Sequence, residues 1–322
     1  MDSAIPYQRQ SQKINTKKKN SFFQEIRKNH LLYLLTLPGI LLIFVFAYLP
    51  IFGIVIAFQD FRPIEGVFGS PFVGFENFRF FFESTEIYRV VFNTVYLNLL
   101  FILCVMVVSV SIAIAFSEIN SKKFKVFMQT IVTLPHFLSW TVVAMIVSIF
   151  LPYQGGMVNQ ILNMFGNESI TFYNEAKYWP FFLVVIKIWH AAGFGSIVYL
   201  ATISGINPEI FESASIDGAS RWRKIWHITL PMLKPTIILL MLLALGGIFY
   251  GDFGMIYAIV GPNALLYPTT DVIDTYVYRA LMELGNMSMS SAVGLFQSFV
   301  GFILVLTVNQ ITRKYSPDSA LY

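Results

Sequence analysis

Two ionisable residues stand in stretches that are otherwise grease: Lys187 in "FFLVVIKIWHAAGFG" and Asp252 in "GGIFYGDFGMIY". An ammonium or a carboxylate inside an apolar run is expensive in hydrocarbon, so such groups pair, line a wet cavity, or do both. Counted along helical spans, Asp252 lies about 16 residues from one end of its run and Lys187 about 8 from the opposite end, roughly 24 Å and 12 Å of rise. Both fall in the same half of the thickness, which predicts an ion pair, with His190 one turn from Lys187 as a possible third member. The plain alternative is a bridge that only ties two spans together. Gly251 and Gly254 flank Asp252 and weaken the helix there. Irregular backbone at this depth is tolerable against protein or a wet cavity, which makes Gly251, Asp252 and Gly254 candidate pathway residues; close helix contact through small residues is the other reading. His136 and His190 have no ligand-type neighbours at helical spacing, so no metal site is expected. Asn93, Asn98 and Asn309 are expected to bond between helices. The single cysteine, Cys104, reads as a small buried apolar residue.

A second cluster of chemistry-bearing residues is the hydrophilic stretch "ESASIDGASRWRKIWHITLPM", Glu212 to Met232. Ahead of it, Asn207 is a good N-cap and Pro208 suits a first helical position. Glu209 and Glu212 follow near the first turn, where the helix dipole favours negative charge. Gly218 permits a sharp break. Trp222, Ile225 and Trp226 then recur at helical spacing, and Pro231 and Pro235 are expected to close the segment before the next span. The pattern predicts a stiff helix–turn–helix projection able to pass displacement between a partner and the spans; the bland reading is a loop that packs on itself.

The elements that must hold these residues are membrane spans. Of 322 residues, 56% are hydrophobic and 12% charged, about half the charge content of a soluble domain. Runs of roughly 20 apolar residues can cross the hydrocarbon, and six are predicted, near 31–58, 88–117, 124–151, 179–204, 235–261 and 289–312. The first is retained, being too long for a signal peptide and lacking a small-residue cleavage site. Most of the 22 Lys and Arg fall in the N-terminal tail, the 118–123 and 205–234 loops and the C-terminal tail. Positive charge marks the cytoplasmic side, so both termini are expected there. The loops at 59–87, 152–178 and 262–288 would then be external. The expected organisation is a basic tail over 1–30 with an interfacial helix in "SFFQEIRKNHLLYL", a first span and loop over 31–87, a core over 88–312, and a tail over 313–322. The fold class is an all-α membrane protein of six transmembrane helices.

The spacing Glu212, Ala214, Gly218, then Ile228, Leu230 and Pro231, resembles the E-A-A-x3-G-x9-I-x-L-P loop of the permeases of binding-protein-dependent ABC importers. Ser213 stands where that loop usually has Ala; a small residue there preserves helix packing. "TLPHFLSW", "DVIDTYVYRALMELG" and "SAVGLFQSFVGFILVLTVNQITRKYS" are similar to the sugar permeases, more narrowly to those of polysaccharide and aldouronate-type oligosaccharide uptake. The resemblance implies the type I importer permease fold. It implies a coupling helix in which Glu212, Ser213, Ala214, Asp217, Gly218, Ile228, Leu230 and Pro231 meet a cytosolic ATPase dimer. It further implies a second, similar permease chain as a heterodimeric mate, an extracytoplasmic solute-binding protein received on the external loops, a lipid surround and an oligosaccharide as solute. ATP and Mg would sit on the ATPase, since no Gly in this chain is followed by Lys and the phosphate-binding loop sequence is absent. No cofactor and no nucleic acid are expected on this chain. On spans the family uses for its pore, Trp140, Trp189, Tyr199 and Tyr250 join Lys187, His190, Gly251 and Asp252 as candidate pathway residues, because sugars pair aromatic faces with polar groups for their hydroxyls.

Two other classes remain to be weighed. An ion-gradient-driven secondary transporter could use Asp252 and Lys187 as a coupling site, but no inverted repeat is visible. A membrane enzyme lacks a paired carboxylate, zinc or nucleophile constellation. In the external loops, helical spacing predicts short helices around Val158–Phe165 and from Asp271 to Leu284.

Overall fold

The computed structural model describes residues 28–315. Most of the basic segment and of the C-terminal tail lie outside these residues, as does the first half of the stretch expected as an interfacial helix; its second half falls in the first helix, from His30. Among the described residues there is no strand, only an isolated bridge between Gln59 and Phe72.

The chain divides into two units, residues 1–53 and 54–322. The first contains α1 (His30–Ile43), which continues through a π turn at Phe44–Tyr48. Its side chains are apolar on all sides, the pattern of a helix that faces lipid rather than water. The apolar run it opens, His30–Phe58, is 29 residues long and sufficient to cross a bilayer.

The second unit comprises α2 (Glu76–Glu83), α3 (Thr85–Ser117), α4 (Lys122–Thr133), α5 (Trp140–Phe150), α6 (Met157–Met164), α7 (Trp179–Ser204), α8 (Pro208–Ile216), α9 (Leu230–Leu245), α10 (Phe253–Val260), α11 (Ile273–Met282) and α12 (Met287–Tyr315). Its helices α3 and α7 run parallel. Leu97 and Phe101 share a core with Leu183 near their starts, and Val110, Ala113 and Phe116 share another with Tyr199, Leu200 and Ile203 near their ends. Small residues allow this approach: the Ser109 hydroxyl donates to the Ala192 carbonyl at 3.0 Å, beside Gly195. A methyl group at Gly193 would collide with the backbone of Val132, so α4 crosses α7 in main-chain contact.

Among the described residues five helices are long and apolar enough to span, and a sixth crossing is counted when Lys122–Phe137 and Trp140–Phe150 are taken together. That sixth falls where a span over 124–151 is expected, and its two parts are bent by 97°. Pro135 sits in a 3-10 turn over Leu134–Phe137, and Ser139 starts α5 afresh by accepting from the Val142 N–H at 3.4 Å. The fifth span departs from expectation. It begins at Arg221, inside the predicted loop, and stops at Leu245, so Asp252 is not within it. Pro231 and Pro235 do not close the loop segment. A π turn at Ile225–Thr229 precedes Pro231, which takes a first-turn position, and the helix runs on through Pro235. The wider turn shifts the hydrogen-bond register ahead of the missing N–H groups.

At the end of the second unit away from the 205–234 loop, two connections are stapled together. Asn159 of α6 donates to the carbonyls of Pro152 (2.9 Å) and Ile170 (3.0 Å) and accepts from the Ile170 N–H. Asn263 donates to the Tyr173 carbonyl at 2.7 Å and Thr269 to that of Ala176 at 2.6 Å. The short helices expected here are α6 and α11. Leu284, placed by spacing on the apolar face, lies beyond the end of α11 and is exposed.

Candidate functional site

The break between α9 and α10 brings the two intramembrane charges together. Gly246 to Tyr250 form turns, and Asp252 becomes the N-cap of α10, its Oδ1 accepting from the Met255 N–H at 3.2 Å. Its Oδ2 takes the Lys187 Nζ of α7 at 2.5 Å. The ammonium also lies 5.5 Å from the centroid of the Trp140 ring. Both charged side chains are about three-quarters buried, with 24% and 22% exposed. His190 is not a member of the ion pair. Its ring stacks on Trp140 at 4.0 Å, and its Nε2 lies 3.1 Å from the Leu138 carbonyl oxygen at the bend of the other broken span. The two interruptions therefore meet through Trp140, the first residue of α5, and Asp252, the cap of α10.

A broken helix in a membrane leaves carbonyls and N–H groups that need partners. The carbonyls of Ile248 and Tyr250 receive the Asn98 amide of α3, at 2.9 and 3.1 Å. Gln297 of α12 donates to the Phe249 carbonyl at 2.6 Å, and the Gly251 N–H donates to the Asp274 carboxylate at 2.5 Å. Gln297 also donates to Asp274, at 3.2 Å. Burial pushes the Asp274 carboxyl upward from its ordinary range, and the Gly251 and Gln297 donors act against that rise. A side chain at Gly251 would run into Val272 and Asp274, so glycine is required by this close approach.

A cavity of about 380 Å³ opens beside the pair, between α3, α7 and α9. Lys187, Tyr199, Asn98, Phe101, Phe194 and Ser109 are in its wall. Tyr199 is otherwise buried in the core shared by α3 and α7. Trp189 is half-exposed and faces a different groove, with Val108, Pro135 and Gly193. Tyr250 points toward α12, its hydroxyl 3.2 Å from that of Ser298. Of the candidate pathway residues, Trp140, Lys187, His190, Gly251 and Asp252 thus come together, while Trp189 and Tyr250 stand apart. Asn93 donates to the carbonyl of Asp271 at 3.1 Å, an interhelical role like that of Asn98. Among the described residues no three His, Cys, Asp or Glu side chains are grouped to hold a metal ion.

The 205–234 loop is ordered by its own sequence. Asn207 accepts from the Glu209 N–H at 3.1 Å and caps α8, with Pro208 in the first turn. Gly218 takes φ +75°, and the Ala219 N–H closes back on the Ala214 carbonyl at 2.8 Å. Ser220 caps the next segment, and Lys224 donates to Ser215 at 2.7 Å across the turn. Glu212, Ser213, Asp217, Gly218 and Pro231 are exposed; Ala214, Ile228 and Leu230 are half-buried. The Glu212 carboxylate has no hydrogen bond or ion pair among the described residues. Ile216, at 87% exposure, stands at the tip.

Residues 105–316, which hold this loop and both broken spans, match the family of binding-protein-dependent transport system inner membrane components. The chain belongs to that family. The permease is a multi-pass membrane protein and a transport component. It is 36% identical, over 303 residues, to the polygalacturonan/rhamnogalacturonan transport system permease protein YteP of Bacillus subtilis (strain 168); the alignment covers 94% of this chain and 93% of that one. It also superposes on a chain from the crystal structure of a bacterial ABC transporter involved in the import of the acidic polysaccharide alginate. There the TM-score is 0.83 at 35% identity, covering 91% of the permease and 99% of that chain. A second structure, of a bacterial alginate ABC transporter in complex with an alginate pentasaccharide-bound periplasmic protein, matches with the same TM-score and identity over 92% and 98%. The resemblance carried by the loop thus holds for the permease as a whole.

Sequence reasoning missed four polar residues that hold this region together. Asp274 lies in a mixed stretch where one more acid raises no signal, whereas Gln297 is an amide inside the predicted 289–312 span, a signal that could have found it. The buried pair of Asp271 and Arg279 escaped because Asp271 precedes α11 and folds back onto it.

Proposed function

We propose that this permease forms half of the transmembrane pathway of an ATP-driven importer for oligosaccharides released from an acidic polysaccharide. The observation that carries the reading is the continuity of the helix from Arg221 to Leu245. It joins the exposed loop, through the π turn at Ile225–Thr229, to the break that holds Asp252 beside Lys187. Its 25 residues reach about 37 Å at helical rise. A push on the loop is therefore delivered to the far end of α9, where the backbone is already interrupted and can rearrange.

In this reading the loop and both termini face the cytoplasm, as the Lys and Arg placement favours. A cytosolic ATPase dimer, holding ATP and Mg, grips α8, with Glu212 offering a charge and Gly218 the turn. A second permease chain supplies the other wall of the cavity, and the clasped 152–178 and 262–288 connections present a surface to the solute-binding protein. The relatives that transport polygalacturonan, rhamnogalacturonan and alginate support an acidic saccharide as solute. Reconstituting the permease with its mate, the ATPase and the binding protein in liposomes should give uptake that requires ATP inside and collapses without it. Uptake by this chain alone on an ion gradient would contradict the reading.

A further inference from the structure

We infer that Lys187 is a carboxylate receptor in the pathway and that Asp252 is a resident counter-ion which a uronate of the passing saccharide displaces. The inference rests on the oligosaccharide reading above and assigns a residue to the recognition of acidic sugar.

Four observations carry it. Lys187 is the sole charged side chain among the residues lining the cavity of about 380 Å³, a volume in the range of small-molecule sites. The rest of that wall is apolar and aromatic, with Asn98, Ser109 and Tyr199 as its polar members. A largely apolar wall with one cation suits a sugar ring bearing a carboxylate better than a neutral ring, whose hydroxyls make weaker, uncharged hydrogen bonds. Next, the ammonium has three donors but a single hydrogen-bond acceptor, Asp252 Oδ2, and keeps 24% of its side chain exposed. It can accept a second carboxylate before releasing the first. Third, Asp252 is not among the residues that line the cavity. Fourth, Asp252 keeps a partner when the lysine leaves, because its Oδ1 holds the Met255 N–H at the start of α10, an end whose dipole favours negative charge. Exchange of one carboxylate for another on Lys187 then costs little, and the departing solute is replaced by Asp252. A pair serving only as a tie between α7 and α10 would have no use for the open face of the lysine.

The test uses the assembled importer and short oligogalacturonides and oligomannuronates, each paired with its methyl ester, which has the same length and linkage without the charge. The variant Lys187→Met with Asp252→Asn removes both charges and avoids stranding one of them in the interior. The ratio of acid to ester uptake should fall by at least about tenfold, the equivalent of one charge-assisted hydrogen bond, and Lys187→Arg should keep the wild-type preference. Asp252→Asn alone should raise the ratio by lowering the KM for the acid, since the lysine is then unoccupied. An acid-to-ester ratio that stays at the wild-type value in the doubly substituted importer, whether both uptakes fall together or neither changes, would overturn the inference and leave a structural tie. A wild-type importer that takes up neither form with ATP present would overturn the oligosaccharide reading, and this inference with it.

Discussion

Replacing Gly218 with valine should abolish solute-stimulated ATP hydrolysis in the reconstituted importer while the permease still reaches the membrane in normal amount. Gly218 sits at φ +75° with no atom within 4 Å of the position a Cβ would take. The first carbon of a side chain there meets no described atom, and the left-handed backbone strains a non-glycine residue by about 1–2 kcal/mol. That strain falls on an exposed turn and leaves the helices of the second unit untouched. What the substitution does alter is the surface offered to a partner and the turn that orients α8, closed by the Ala219 N–H on Ala214. Glu212→Phe should act in the same way, because Glu212 is exposed and loses no intrachain bond. A central docking residue is worth about 2–4 kcal/mol, so stimulated hydrolysis and uptake should drop about 30-fold or more. Unchanged stimulation in both variants would remove the coupling role from this loop.

The largest effect on stability is expected at Asp271. Its side chain is wholly buried and takes both arms of the Arg279 guanidinium, at 2.7 and 3.1 Å, while Thr275 donates to it at 2.9 Å. Arg279 lies 4.3 Å from the centroid of the Tyr267 ring. Asp271→Ala strands the guanidinium in a site with 19% of it exposed, and breaking such a pair costs about 3–5 kcal/mol. The connection from Pro262 to Ser288, which bonds to Tyr173 and Ala176, should loosen with it. Thermal unfolding of the purified importer should show the loss. Asp271→Leu combined with Arg279→Met should recover most of it, because apolar replacement of both partners is often close to neutral. A loss below about 1 kcal/mol for the single change would mean that the pair is solvated.

The sequence carried the features that follow from local chemistry. Asn207, Pro208 and Gly218 announced a capped helix and a sharp break, and both are present, the break with Gly218 in the left-handed region. Counting residues from the span ends placed Lys187 and Asp252 at one depth, and their side chains meet. What local chemistry misjudged were the interruptions. "TLPHFLSW" and "GGIFYGDFG" contain the breakers, yet whether a proline or glycine ends a helix depends on what takes up the freed backbone groups. At Pro231 a π turn absorbs the proline and the helix survives. At Gly246–Gly251 the amides of Asn98 and Gln297 and the Asp274 carboxylate, drawn from three other helices, satisfy an open backbone, and the helix stops. Those partners are distant in sequence, so only the fold reveals them. His190 was drawn toward Lys187 by spacing alone; stacking on Trp140 and the Leu138 carbonyl oxygen claim it instead.

The central claim is that the tip of the 205–234 loop lies in the cytosol against an ATPase. It is tested most directly by a cysteine at the tip, Ile216→Cys, in a chain whose native thiol is removed by Cys104→Ser. In intact cells a membrane-impermeant thiol reagent should leave the new thiol unmodified, whereas opening the membrane should expose it, and a bifunctional reagent should join it to the ATPase subunit with a yield that changes when nucleotide binds. Modification from outside intact cells, or no product with any nucleotide-hydrolysing subunit in the assembled importer, would contradict the account.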